Sequence, residues 1–241
     1  MSFTRFITLF CVFLVIFFIA FAGCINPGGK NINEGIITYD IQYITDKNTP
    51  NVVSLFPEQM QLKFKKDNTV INITGFMGCF NLMYITNLNS NTNYSVLRFL
   101  DKKYLYKADI NEFPFGYTQM RKMKITYVND TLTIAGYLCR KALAYCPEIG
   151  RDPLELWYTD RIGIQNPNTN NPFREIKGVL LGFQVRLSNI DMCMRAVSVE
   201  KAKVDDKEFA IPENCRVISR DEMEQVIGEY TATADSSEIA E

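Results

Sequence analysis

GIITYDIQYIT, from Gly35 to Thr45, places Ile37, Tyr39, Ile41 and Tyr43 on one side of an extended chain and Thr38, Asp40 and Gln42 on the other. A period of two, with β-branched and aromatic residues on one face, predicts a half-buried antiparallel strand. The tyrosine-bearing face can pack into a core or line a ligand cavity, and inward aromatic side chains ordinarily pack.

The same alternation recurs outward from this stretch. Gln59 to Lys65 puts Met60, Leu62 and Phe64 on one face, and Lys66-Asp67-Asn68 turns the chain into Thr69 to Gly75. Leu82 to Leu88 and Tyr94 to Leu100 flank the polar loop Asn89 to Asn93, and Tyr104 to Ala108 follows the turn at Asp101 to Lys103. Lys124 to Val128 is expected to turn at Asn129-Asp130 into one long strand, Thr131 to Cys146. The turn cluster Pro147 to Pro153 then returns Leu154 to Tyr158, with the single tryptophan, Trp157. Arg161 to Pro172, rich in Asn and Pro, reads as a surface excursion. Gly178 to Leu187 and Met192 to Val204 form a hairpin about Ser188-Asn189. Ser219 is placed to cap a short helix whose first turn carries Asp221, Glu222 and Glu224. About ten short strands with little helix predict a mainly β (α+β) domain over residues 35–229. Its form is one bent antiparallel sheet or an incomplete β-barrel with few short helices.

The chain before this domain has a different character. Arg5 is the sole charge before position 30, Phe6 to Phe21 is almost wholly apolar, and small residues follow. That layout is a signal peptide over residues 1–23. Ala20-Phe21-Ala22 suits an ordinary signal peptidase, whereas Phe21-Ala22-Gly23-Cys24 resembles a bacterial lipobox, in which the cysteine sulfur takes a diacylglyceryl group. An uncleaved anchor helix is the third reading. The lipoprotein reading leads, with Cys24 as the lipidation site and residues 24–34 (Asn26-Pro27-Gly28-Gly29 and onward) as a flexible tether. Two or more acyl chains hold a protein durably to a membrane, at about 0.8 kcal/mol per buried CH₂. Residues 230–241 read as a disordered tail.

Composition narrows the chemistry. The 26 basic residues face 27 acidic ones, a balance that leaves no electrostatic footprint for nucleic acid. There is no histidine, which removes Ser-His-Asp and Cys-His catalysis and most zinc or copper sites. No catalytic residue, metal site or cofactor is expected. Asp205-Asp206 and Glu222 with Glu224 read as solvated acids, and the sulfurs of Met192, Cys193 and Met194 as strand packing. Beyond the leader and Cys24 remain Cys79, Cys139, Cys146, Cys193 and Cys215, an odd set for which an oxidising compartment makes disulfides plausible without fixing a pairing. Cys139 and Cys146, at an odd offset within one strand, would face opposite ways.

The most apolar loop is Phe113-Pro114-Phe115-Gly116-Tyr117, with Met120 and Met123 beyond. It is a buried connection, a lid over a hydrophobic cavity, or an edge touching the membrane. Phe113, Phe115, Tyr117 and Met120 are therefore the candidate cavity or lid residues.

Thr133-Ile-Ala-Gly-Tyr-Leu-Cys-Arg-Lys-Ala142 and Leu156-Trp-Tyr-Thr-Asp160 resemble strands of the GLPGLI family and related uncharacterised Bacteroidetes lipoproteins. The likeness extends to Gly35-Ile-Ile-Thr-Tyr39, Leu55 to Met60 and Phe209-Ala-Ile-Pro212. Lys177-Gly-Val-Leu-Leu-Gly182 keeps the glycines of the namesake motif without its proline. The resemblance implies a lipoprotein-carrier-like fold, a strongly bent sheet with helix or loop over an apolar concavity, and brings no catalytic residues. The resulting expectation is a non-enzymatic envelope lipoprotein. It would sit in the outer membrane, more on the periplasmic face than on the surface, and bind a hydrophobic or lipid-like ligand in the sheet's concavity. The alternative is a structural or protein-interaction module of the envelope with a solid core.

Overall fold

The computed structural model describes residues 31–44, 56–66, 68–75, 78–150, 153–187 and 190–236, with side chains as far as 229. The leader, Cys24, most of the tether and the last five residues lie outside the described residues, as do Asp67 and Ser188-Asn189 of two expected turns.

The strands are β1 (Glu34–Tyr43), β2 (Gln59–Lys65), β3 (Asn68–Gly75), β4 (Phe80–Asn87), β5 (Thr92–Phe99) and β6 (Lys102–Asp109). Then come β7 (Lys124–Ile134), β8 (Tyr137–Tyr145), β9 (Leu154–Thr159), β10 (Val179–Leu187), β11 (Ile190–Glu200) and β12 (Arg216–Val217), followed by the helix α1 (Arg220–Ser236). All twelve strands form one sheet in the order β12-β6-β5-β4-β3-β2-β1-β11-β10-β9-β8-β7. It consists of two antiparallel meanders, β2 to β6 and β7 to β11, joined through β1, which pairs with both β2 and β11. The sheet is bent and unclosed, so of the two expected forms the barrel remains incomplete. Register breaks at Thr38/Tyr39, Leu180/Gly182 and Val128/Thr131 add local twist and bend to the meander that carries them.

This order forces a crossover. Strand β6 lies next to one edge and β7 is the other edge, so the connection Ile110 to Met123 must traverse the sheet. It does so across the concave side, where Phe115, Tyr117 and Met120 are buried. The largest core cluster lies under β1, β2 and β8 to β11 and takes in Tyr117 and Met120. A second lies under β4 to β6, where Phe115, Met223 and Ile227 meet Phe80, Leu82 and Leu97. On the opposite face of β3 to β5 a smaller group, Val70, Ile85 and Val96, is covered by Phe209 and Cys215. The C-terminal segment therefore runs over the convex face, pairs β12 parallel to β6 at the edge, and returns α1 to the concave side.

Four expectations change. The turn expected at Asn129-Asp130 is a bulge inside β7, and the reversal falls at Ala135-Gly136, splitting the expected long strand. Both turn residues have positive φ (47° and 81°), as a two-residue hairpin of matching twist requires. Alanine in that region is unusual enough to hide the turn. The loop 161–172 is no surface excursion: Ile162, Ile164, Asn168, Asn170 and Pro172 are buried. Asn168 Nδ2 donates to the carbonyls of Ile176 (2.6 Å) and Gly178 (3.0 Å), so side-chain amides satisfy backbone groups that water would serve on a surface. The short helix is 17 residues long, running past 229 to Ser236. Its expected cap is present, with Glu222 N–H donating to Ser219 Oγ at 3.2 Å. At the other end the segment expected as tether already joins the fold, with Ile32 buried and bridged to Ile162.

Candidate functional site

The two concave core clusters do not merge completely, and a cavity of about 90 Å³ lies at their seam. Its floor is sheet: Ile41 of β1, Met60 of β2, Ile71 and Ile73 of β3, Leu82 and Tyr84 of β4, with Phe183, Met192 and Met194 from β10 and β11. Tyr117 of the crossover, Asn170 and Asn171 of the β9–β10 loop, and Ile227 of α1 close it from above. Alternation explains why these residues meet. On β1 the same face carries Ile37 and Tyr39 into solid core and Ile41 and Tyr43 to the cavity, so the stripe read from the sequence does both jobs. Met192 and Met194 face inward while Cys193 is only half-buried behind them. Unbranched methionines adapt to irregular gaps, which suits a cavity wall.

Two arginines hold the roof. Arg220, at the start of α1, donates to the carbonyls of Phe113 (2.9 Å) and Pro114 (3.3 Å) and to Glu112 Oε1 (3.1 Å). Arg174, from the β9–β10 loop, donates to the carbonyls of Asn111 (2.8 Å), Thr169 (2.9 Å) and Glu112. At the far end of the crossover, Arg186 pairs with Asp191 across the β10–β11 hairpin through two bonds of 2.7 and 2.6 Å. The backbone N–H of Arg186 also donates to Met120 Sδ at 3.2 Å. The crossover is thus tied at both ends, with its apolar middle buried between.

Of the four candidate lid residues, Tyr117 alone lines the cavity. Phe115 sits between the rings of Tyr84 (centroids 5.4 Å apart) and Tyr106 (6.4 Å) in the second cluster. Met120 is fully buried in the first, and Phe113 packs against it half-buried, under the guanidinium of Arg121. Cys24 lies outside the described residues. Sequence reading missed Asn170, Asn171 and Ile227 as cavity residues. They come from a loop read as solvent-facing and a helix read as short, and no local pattern marks where either one docks.

The acidic candidates are engaged in structure. Asp205 accepts from Lys207 N–H at the start of a short 3₁₀ turn, Asp206 pairs with Lys65 at 2.7 Å, and Glu224 pairs with Arg220 at 3.2 Å. Among the described residues no group of His, Cys, Asp or Glu could hold a metal ion, and no helix is long and apolar enough to cross a membrane. Cys79, Cys139, Cys146, Cys193 and Cys215 are all free thiols.

Burial sets the titration of the interior. It pushes the hydroxyls of Tyr39, Tyr84 and Tyr117 far above the usual tyrosine range and raises the Cys139 thiol to about 11. An acid whose folded pKa is raised contributes stability that is complete below its unfolded pKa and is lost as pH climbs through the folded one. Unfolding free energy is therefore expected to be insensitive to these groups below pH 9.0, where the free thiol begins to ionise, and to fall toward pH 11 and beyond. Urea midpoints across that range check it, and Cys139→Ala should flatten the first part of the decline.

Comparison with protein-family models and with curated proteins finds no match for this chain.

Proposed function

We propose that this protein is a lipid-anchored envelope protein of the bacterial outer membrane, held by acyl chains on Cys24, that binds a hydrophobic ligand non-catalytically. Its membership of the GLPGLI group of lipoproteins belongs to the same proposal. The observation that carries the ligand reading is the seam cavity: an apolar space beneath a roofed, bent sheet, where a solid core would leave none. Ligand sites are concave, mostly apolar and furnished with few polar groups, and this lining has that composition. The anchor reading rests on the leader and the residues before Cys24.

Size constrains the proposal. About 90 Å³ exceeds the ~10–15 Å³ that one water needs but falls short of the ~300–1,000 Å³ of pockets for whole drug-sized molecules. The cavity as it stands accepts part of a slender molecule, with the rest emerging past half-buried Ile71, Ile73 and Leu187. Protein isolated from its own membranes is expected to carry a diacylglyceryl or triacyl mass on Cys24 and to release an apolar small molecule on denaturation. Ile73→Phe, which fills the mouth, should abolish the released ligand while leaving the lipid mass and the thermal midpoint intact. Wild-type protein that carries the anchor but releases nothing, or an Ile73→Phe variant that releases as much as wild type, would remove the ligand reading.

The interaction-module alternative has its own support. Strand β7 is an open edge whose Tyr127 is 58% exposed, and unpaired edges are templates for strand addition.

A further inference from the structure

The cavity wall contains a polar feature that an apolar ligand alone leaves unexplained. Tyr84 is 3% exposed, lines the cavity, and its hydroxyl is buried without a hydrogen-bond partner among the described residues. A buried hydroxyl left unpaired has given up its hydration with nothing in return, so native proteins keep few of them. Three of the other polar side chains of the lining are engaged. Tyr43 donates to the Pro57 carbonyl at 2.6 Å. Asn170 Nδ2 donates to Thr86 Oγ1. Asn171 donates to Asn168 Oδ1 at 3.0 Å and accepts from Phe173 N–H at 2.9 Å. Tyr117 stands near enough to Tyr84 to bear on it electrostatically, yet the two hydroxyls do not bond.

Charge is the second constraint. Among the described residues lining the cavity there is no Lys, Arg, Asp or Glu. A carboxylate or ammonium taken into such a space would lose its hydration with no counter-charge in the wall to replace it. Size is the third constraint. At about 90 Å³ the cavity is smaller than the ~150 Å³ engineered space that admits benzene, so it takes one end of a slender molecule whose remainder emerges past half-buried Ile71, Ile73 and Leu187.

We propose that the ligand is an uncharged, slender aliphatic molecule carrying one hydrogen-bonding oxygen, of the fatty alcohol, ester or amide kind, and that the Tyr84 hydroxyl recognises that oxygen. This rests on the apolar-ligand reading above and specifies its chemistry. The cavity distinguishes such a molecule from a bare hydrocarbon, which leaves Tyr84 unpaired, and from a fatty acid anion, which the uncharged wall excludes.

Equilibrium dialysis of isotopically labelled octan-1-ol, nonane and octanoate at pH 8 against the purified full chain and its Tyr84→Phe variant tests the assignment. Wild type is expected to bind octan-1-ol about five- to tenfold more tightly than Tyr84→Phe does, the factor of one hydrogen bond. Nonane should bind both proteins within about twofold, and octanoate should bind wild type more weakly than octan-1-ol. Removing an unpaired hydroxyl should leave the variant's thermal midpoint unchanged or raise it by about 2–4 °C. Equal octan-1-ol affinity in the two proteins, tighter octanoate binding, or a lowered midpoint in Tyr84→Phe would overturn the role of Tyr84. Continued nonane binding in those cases would preserve the apolar-ligand reading. If none of the three probes binds wild type, both fall together.

Discussion

Phe115→Ala is expected to lower the unfolding free energy by about 3–5 kcal/mol, the range for deleting a fully buried aromatic ring. Phe115 is 2% exposed and lies where three elements converge: Tyr84 of β4, Tyr106 of β6, and α1 through Met223 and Ile227. The backbone at this point cannot simply sink into the space left behind, because Arg220 holds the carbonyls of Phe113 and Pro114 in place. Much of the ring volume should therefore remain as a void, which puts the cost toward the upper part of the range. Urea denaturation should show a lowered midpoint with an unchanged slope, since the surface exposed on unfolding barely alters. A loss below about 1 kcal/mol would mean that the crossover is not seated on the sheet as described.

Gly35→Ala is the second large effect, of about 3 kcal/mol, and it acts on the sheet itself. A Cβ at this position would lie 2.2 Å from the Glu200 carbonyl oxygen and 3.2 Å from the Phe64 ring. The first obstacle is backbone in the neighbouring strand, which cannot move aside as a flexible side chain would. Relief requires prying β1 from β11, and β1 is the single strand that joins the two meanders. Overpacking ordinarily costs about 1–3 kcal/mol, and a clash against paired backbone sits at its top. Thermal unfolding checks this, with Gly228→Ala as the control: no atom lies within 4 Å of the Cβ it would add. The control should leave stability unchanged or slightly raised, because α1 gains helix propensity.

Taken together, the two substitutions separate the parts of the molecule. Gly35 tests whether one continuous sheet spans both meanders, and Phe115 tests whether the roof is docked on it. The cavity needs both, since its floor crosses the β1 junction and its ceiling is the crossover, the β9–β10 loop and α1.

Much of this was legible in the residues. The alternation of Gly35 to Thr45 and Gln59 to Lys65 located β1 and β2 and identified their buried faces, because side chains on a strand alternate strictly and one face must be apolar. The Ser219 cap and its acidic first turn located the start of α1 for an equally local reason. The turn at Ala135-Gly136 escaped, since a left-handed alanine leaves no compositional mark. The burial of the β9–β10 loop escaped as well. Its asparagines are polar in any local reading, and they turn inward only because the carbonyls of Ile176 and Gly178, and the Thr86 hydroxyl, wait for them on other parts of the chain.

The apolar character of Phe113 to Met123 marked it as a segment with a task, but which residue faces a cavity was beyond its own sequence. Strand order decided that. With β6 and β7 placed near opposite edges, the connection has to cross the concavity, and the crossing puts Tyr117 over the gap while Phe115 and Met120 fill the cores on either side. The sequence by itself determined a mainly β chain, the start of its helix and its inward faces, because those depend on neighbours two to four residues apart. The existence of a cavity, its unpaired Tyr84 hydroxyl and its uncharged wall were decided only by the tertiary structure. They arise where strands of both meanders, the crossover, the β9–β10 loop and α1 meet, and no local pattern encodes how closely these elements fit.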